Sequence, residues 1–185
     1  MKTTIGVIGK NEQHPNDKVD AHTMRAAEAI GRLVAGRGGV LVTGGRAGVM
    51  AAASKGAREV GGLTIGFLPG MEKSGANPYV DIVFPTGLGR ARNLLTARSC
   101  DALIMIGGST GTLNELTIAY AEARPVVILE GSGGWADRIR SVLCRGRFLD
   151  ERETIEIEFA KTPEEAVEKA FRRAAEGSTN RADQP

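Results

Sequence analysis

Gly107, Gly108, Ser109, Thr110, Gly111 and Thr112, with Glu115 three residues further on, are the part of this chain whose types and spacing most suggest chemistry. They follow Ala102-Leu103-Ile104-Met105-Ile106, an apolar run that reads as a buried parallel strand. They lead into residues 113–123, whose apolar spacing predicts a helix. A strand that ends in glycines and turns straight into a helix presents free backbone N–H groups at the positive end of the helix dipole. That is an anion site, most often for phosphate. The hydroxyls of Ser109, Thr110 and Thr112 add donors. The other reading is a tight strand-to-helix turn that holds nothing. The loop is not a Walker A, because no Gly-Lys-Ser/Thr follows, and its glycines do not fit the dinucleotide fingerprint.

Glu115 falls in the first turn or so of that helix, where the dipole favours its ionised form. A carboxylate, and so a poor general acid at neutral pH, is expected. Beside a phosphate loop it can hold ribose hydroxyls, stabilise an oxocarbenium ion or orient a water. Alternatively it only complements the dipole. Arg92 sits on a predicted helix just before the key strand and reads equally as a ligand contact or a surface arginine. Its neighbours Arg90 and Arg98 read as solvated charges. Gly44, Gly45 and Arg46 follow an earlier strand as the start of a second glycine-rich loop, Gly44-Gly45-Arg46-Ala47-Gly48. This loop is either a second wall of a cleft with Arg46 reaching in, or a turn that needs φ > 0. Gly87-Leu88-Gly89 is half a dinucleotide motif with no second half. His14 and His22, with Asp17 and Asp20, match no standard metal spacing, so no metal is expected.

Elements that position these residues alternate between the two periods. Strands are expected at 3–8, 40–43, 63–68, 81–84, 102–106 and 125–129, with an edge strand at 155–159. Helices are expected at 21–36, 49–60, 90–98, 113–123, from 130 to 139, and from Thr162-Pro163 to 176, where Thr caps and Pro takes the first position. This alternation predicts an α/β fold, a Rossmann-like doubly wound parallel sheet in a single domain, with ligands at the carboxyl ends of the strands. The domain is expected to span 1–176, with a polar, disordered tail over 177–185.

Composition narrows the class. The chain has 185 residues, 42% hydrophobic and only 4% aromatic, which suits one core of Val, Ile, Leu and Ala with close glycine contacts. Net charge is +2, with the basic residues spread along the chain, and this leaves no footprint for nucleic acid or an anionic membrane. Cys100 and Cys144 lie by apolar stretches in no metal spacing and read as reduced thiols. No apolar run approaches the ~20 residues of a membrane span, and no signal peptide is read at the N-terminus, so a cytoplasmic protein is expected.

The pattern G-G-x-x-G-T-x-x-E over 107–115 resembles the signature of the LOG-like proteins, long mislabelled lysine decarboxylases. Within that superfamily the chain is most similar to the molybdenum-cofactor-carrier branch and its uncharacterised bacterial relatives. Four further segments carry the resemblance: Thr43-Gly44-Gly45-Arg46-Ala47-Gly48-Val49-Met50, Gly66-Phe67-Leu68-Pro69-Gly70, Ala76-Asn77-Pro78-Tyr79-Val80, and Pro85-Thr86-Gly87-Leu88-Gly89-Arg90-Ala91-Arg92-Asn93. With residues 101–115 they run from about residue 3 to 130.

The resemblance implies a Rossmann-like homodimer or homotetramer. In the LOG enzymes an Arg-Lys pair precedes the glycine-rich strand, and its Arg works with the signature Glu. Those enzymes hydrolyse a cytokinin riboside 5′-monophosphate, or AMP, to free base and ribose 5-phosphate. The Arg falls here on Arg92, the Glu on Glu115 and the Lys on Asn93, a departure that fits the carrier branch. Residues 71–79 would line the cleft near a base or pterin, with Tyr79 as a stacking platform.

Three functions follow from this. The first is a carrier that binds a phosphorylated, nucleotide- or pterin-like molecule such as molybdenum cofactor, with no covalently attached cofactor. The second is a phosphoribohydrolase, and the third a nucleotide sensor. Lysine decarboxylation is rejected, because no Schiff-base lysine stands in a pyridoxal-phosphate context.

Overall fold

Strand burial in this protein follows strand position in the sheet. The computed structural model describes residues 1–12 and 18–181; the expectations for His14, Asp17 and the tail beyond 181 fall outside the described residues. In chain order the elements are β1 (Thr4–Gly9), α1 (Ala21–Gly36), β2 (Val40–Thr43), α2 (Val49–Glu59), β3 (Thr64–Leu68), β4 (Ile82–Pro85), α3 (Asn93–Arg98), β5 (Ala102–Ile106), α4 (Thr110–Ala121), β6 (Val126–Leu129), α5 (Gly134–Arg138), β7 (Ile157–Ala160) and α6 (Pro163–Arg181). Every strand pair is parallel, in the order β4-β3-β2-β1-β5-β6-β7. The central β5 is buried at every position, whereas the edge strand β4 is not buried at any.

Helices cover both faces, as a doubly wound α/β domain requires. One core layer joins Ile5, Val7, Leu41 and Ile104 to Ile30 and Val34 of α1, Ala53 of α2 and Val167 and Ala170 of α6. The other joins Ile8, Leu103, Met105 and Ile128 to Leu116 and Tyr120 of α4, with Ala97 of α3 and Ala136 of α5. The chain reverses its direction of growth between β1 and β5, and there the strand ends diverge into a crevice. Gly9 and Ile106 are register partners at its lip.

Several boundaries differ from the sequence reading. The helix expected over 90–98 is two pieces, a 3-10 turn at Gly89–Arg92 followed by α3. Gly89 has φ 55°, and the amide of Ala91 bonds the carbonyl of Leu88 at 3.1 Å, an i to i+3 closure. The helix expected at 113 begins three residues earlier, because Gly107 and Gly108 turn the chain immediately with φ of 61° and 108°. The helix after β6 is short, with a second 3-10 turn at Ile139–Val142. The final helix starts at Pro163 behind the Thr162 cap and continues to Arg181, past its expected end at 176. Arg172 and Arg173 both pair with Glu176 across its last described turns.

Helices α1 and α2 meet backbone to backbone. A Cβ on Gly31 would lie 1.9 Å from the Ala53 carbonyl oxygen, and one on Gly56 would lie 1.9 Å from that of Glu28. This approach replaces the aromatic packing that the composition withholds. Gly56→Ala is therefore expected to lower unfolding stability by about 1–3 kcal/mol through overpacking. Gly36→Ala, at an open helical position with nothing within 4 Å, is expected to be neutral or stabilising. Urea unfolding of the two variants checks this, and equal stabilities would refute the packing argument.

Candidate functional site

The crevice at the strand-order reversal is a cleft of about 780 Å³. Gly9 and Asn11 beyond β1, Arg46 and Met50 around the start of α2, and Pro69 after β3 form one side. Gly89, Arg90, Ala91, Arg92 and Asn93 form another, and Ser109, Thr110, Gly111, Thr112, Asn114 and Glu115 the third. Two glycine-rich loops thus face one space because β1 separates the strands that end in them.

Glu115 is the centre of this geometry. It is the sixth residue of α4 rather than part of its first turn, and only 6% exposed. Arg92 Nη1 donates to Glu115 Oε1 at 3.1 Å and to Thr96 Oγ1 at 3.1 Å. Burial pushes the Glu115 carboxyl up to about 7, against the opposing pull of the Arg92 charge and hydrogen bond. The expectation of a fully ionised carboxylate is corrected accordingly. Depth in the second turn removes Glu115 from the free amides of the helix end, and desolvation outweighs the ion pair. At neutral pH the group holds its proton part of the time, the condition for general acid or base work.

Arg92 reaches Glu115 by lying flat against Gly44, where a Cβ would stand 2.4 Å from Nη1. Gly44 therefore supports the pair from beneath rather than lining the cleft. Gly45 packs on Gly66 and bonds Thr43 Oγ1 through its amide, also outside the lining. Arg46, the loop residue that does face the cleft, is half-buried. Burial and then the nearby Arg92 charge push its guanidinium below the usual arginine range. Arg90, read as a solvated charge, lines the same cleft. Arg98, read likewise, pairs with Glu122 at the surface.

The expected phosphate loop divides into two parts. The Gly107 amide donates to Ser132 Oγ at 2.7 Å, and the Gly107 and Gly108 carbonyls accept from Ala136 and Trp135. These two glycines turn the chain and anchor α5, the Gly107 amide is taken by Ser132, and neither glycine is among the residues lining the cleft. A Cβ on Gly108 would lie 2.7 Å from Thr112 Cβ. Ser109, Thr110, Gly111 and Thr112 do line it. The Ser109 side chain makes no cap, and Leu113 N–H to Ser109 C=O is the first bond of the helix. The amides of residues 110–112 consequently have no carbonyl within α4.

Asn93 is buried, and its Nδ2 donates to Asn114 Oδ1 at 2.8 Å and to the Gly111 carbonyl at 3.4 Å. It ties the Arg92 segment to the first turn of α4. Tyr79 does not reach the cleft. Its amide is held by Asn77 Oδ1, and its carbonyl accepts from Thr64 Oγ1. The 71–79 segment instead braces the Arg46 loop from behind, with Asn77 Nδ2 bonding the Arg46 carbonyl at 2.9 Å. His22 lines a separate hollow of about 420 Å³ with Arg25, Lys161 and Pro163. Asp20 caps α1 through Thr23. Among the described residues no three His, Cys, Asp or Glu side chains gather as a metal site, and no helix is long and apolar enough to cross a membrane. Asn11 carried no motif in the sequence, and Met50, Pro69 and Asn114 stood inside quoted segments with no role of their own. The position of Asn11 just past the first strand is the one signal that could have marked it.

This fold and site belong to a known class. The model of the SLOG cluster4 family matches residues 2–167, and the chain is a member of that family. An uncharacterised protein of Archaeoglobus fulgidus is 42% identical over 133 residues, covering 69% of this chain and 83% of that one. The cytokinin riboside 5′-monophosphate phosphoribohydrolase of Mycobacterium tuberculosis is 31% identical over 122 residues, covering 61% of this chain and 65% of the enzyme. The X-ray structure of TM1055 superimposes with a TM-score of 0.85 at 39% identity, over 92% of this chain and 99% of that one. The molybdenum cofactor binding protein of Rippkaea orientalis gives 0.78 at 34%, over 93% and 97%. The molybdenum cofactor carrier protein of Chlamydomonas reinhardtii gives 0.77 at 33%, over 94% and 99%.

The raised carboxyl fixes a sign for pH dependence. The folded state holds the Glu115 proton more tightly than the unfolded chain, so stability falls as pH rises between about 4.5 and 7 and then levels. Relative to Glu115→Gln, which cannot ionise, the wild type is expected to lose about 3 kcal/mol across that window. Paired chemical denaturation curves at pH 4.5 and 8 measure the difference. A pH-independent gap would show that Glu115 titrates normally.

Proposed function

We propose that this protein binds a phosphorylated nucleotide- or pterin-like small molecule in the cleft and acts as a molybdenum-cofactor-carrier-like protein. The observation that carries this reading is a surplus of donors and positive charge. Among the described residues, Arg46, Arg90 and Arg92 line the cleft against one lining carboxyl, Glu115, which Arg92 already holds. The open amides of residues 110–112 add the positive end of α4. Two guanidinium groups beyond the ion pair suit a phosphoryl dianion. Met50 and Pro69 offer apolar contact to a ring. The near full-length likeness to a molybdenum cofactor binding protein and a molybdenum cofactor carrier protein supports the same reading.

Glu115 supports a second reading, a phosphoribohydrolase acting on nucleoside 5′-monophosphates. A buried carboxyl near neutrality can stabilise the positive charge that grows on C1′ as the bond to the base breaks. Water then supplies hydroxyl to C1′ and a proton to the departing base. Arg92 would hold the carboxyl in place, and Asn93 stands where those enzymes carry lysine.

Gly111→Asp separates binding from folding. Gly111 has ordinary backbone angles and nothing within 4 Å of an added Cβ, so the variant is expected to fold normally. It places a carboxylate among the anion donors, and affinity for AMP and for molybdenum cofactor is expected to fall at least ~100-fold by calorimetry. Unchanged affinity for both would remove the phosphate from this loop. Release of adenine from AMP that disappears in Glu115→Gln, with binding retained, would establish the hydrolase reading over the carrier.

A further inference from the structure

Asn11 is a polar side chain in the cleft that neither proposed role uses. It stands two residues past Gly9, the end of β1, at the reversal of strand order and beside both glycine-rich loops. Its Oδ1 is buried and has no hydrogen-bond partner among the described residues. A buried amide oxygen without a donor destabilises the free protein, and such groups persist at sites that a ligand completes.

The backbone that carries Asn11 is held rigidly. The Lys10 carbonyl accepts from the Val49 amide at 3.1 Å, at the start of α2. Gly48, with φ 65°, packs so tightly that a Cβ there would lie 2.4 Å from the Lys10 oxygen and 3.3 Å from Asn11 Cα. The Cα that carries the amide cannot shift without moving the second glycine-rich loop. It is positioned before any ligand arrives.

Among the described residues around Asn11 the cleft is rich in donors and poor in free acceptors. Arg46, Arg90 and the amides of residues 110–112 donate, Glu115 is engaged by Arg92, and Asn114 Oδ1 is engaged by Asn93. The donors serve an anion, whereas the Asn11 oxygen serves the opposite kind of group. We propose that Asn11 reads a hydrogen-bond donor, O–H or N–H, on the part of the ligand adjoining its phosphate. This inference rests on the proposed binding of a phosphorylated molecule in the cleft and names what that molecule must carry. A sugar hydroxyl of a nucleotide and a ring N–H of a pterin both meet the requirement.

Asn11→Leu, close in volume and without the oxygen, is the test, with Asn11→Ala beside it. Melting temperatures of the free proteins are measured, together with affinities for AMP, 2′,3′-dideoxyadenosine 5′-monophosphate and molybdenum cofactor. Asn11→Leu is expected to melt higher than wild type and to bind the donor-bearing ligand at least ~10-fold more weakly. A wild-type preference for AMP over the dideoxy compound that Asn11→Leu abolishes identifies a sugar hydroxyl. Weakened cofactor binding without that preference identifies a ring N–H. A lower melting temperature with unchanged affinities makes Asn11 structural and overturns the inference while leaving the proposed function intact. Absence of wild-type affinity for AMP and for the cofactor defeats the proposed function itself, and this inference with it.

Discussion

Placing a carboxyl and a guanidinium out of water, 3.1 Å apart with side chains 8% and 12% exposed, is the demand that the rest of the site meets. Desolvation of such a pair costs several kcal/mol per ion unless geometry and further hydrogen bonds offset it. Thr96 supplies one of those bonds and sits one helical turn after Arg92. Gly44 supplies the room, since any side chain there would displace the guanidinium. The glycine pair before α4 sets the start of that helix, so that its sixth residue faces inward. Removing any of these would leave a buried charge uncompensated. Their combination makes the carboxyl a group that titrates near neutrality.

The pair also organises charge across the cleft. Because Glu115 is engaged, the guanidinium groups of Arg46 and Arg90 face the cleft with no further lining carboxylate among the described residues, and Arg46 feels Arg92 as a like charge. An anionic ligand relieves this repulsion, which gives the free site an electrostatic reason to bind rather than merely room to do so. The same economy explains the division of labour along the 107–112 loop. Gly107 and Gly108 serve the fold by anchoring α5, and the following residues leave their amides open. A structural turn and a run of open amides are successive halves of one segment here.

Much of the fold was legible in the chain because local rules sufficed for it. Buried parallel strands read as continuous apolar runs, and β2 and β5 match the segments expected from them at both ends. Misplaced boundaries share a cause. Glycines with positive φ at Gly89, Gly107 and Gly108 decide where a turn stops and a helix starts, and periodicity does not see φ. Arg92 and Glu115 were legible through spacing and family resemblance. Tyr79 was misplaced because its loop lies behind the Arg46 segment rather than in front of it. No local feature of 71–79 could show that.

The sequence by itself determined the alternation of strands and helices, and with it the doubly wound sheet, the glycine-rich ends of β2 and β5 and the candidate residues Arg92 and Glu115. Each of these depends on residues close together along the chain. Tertiary structure decided what those residues became. Only the strand order places β1 between β2 and β5, and thereby sets Arg46, Arg92, Glu115 and Asn11 around one cleft. Only packing buries Glu115 deeply enough for desolvation to overcome the pull of the arginine. Dielectric environment and long-range neighbours fix a protonation state, and neither is written in the spacing of a motif.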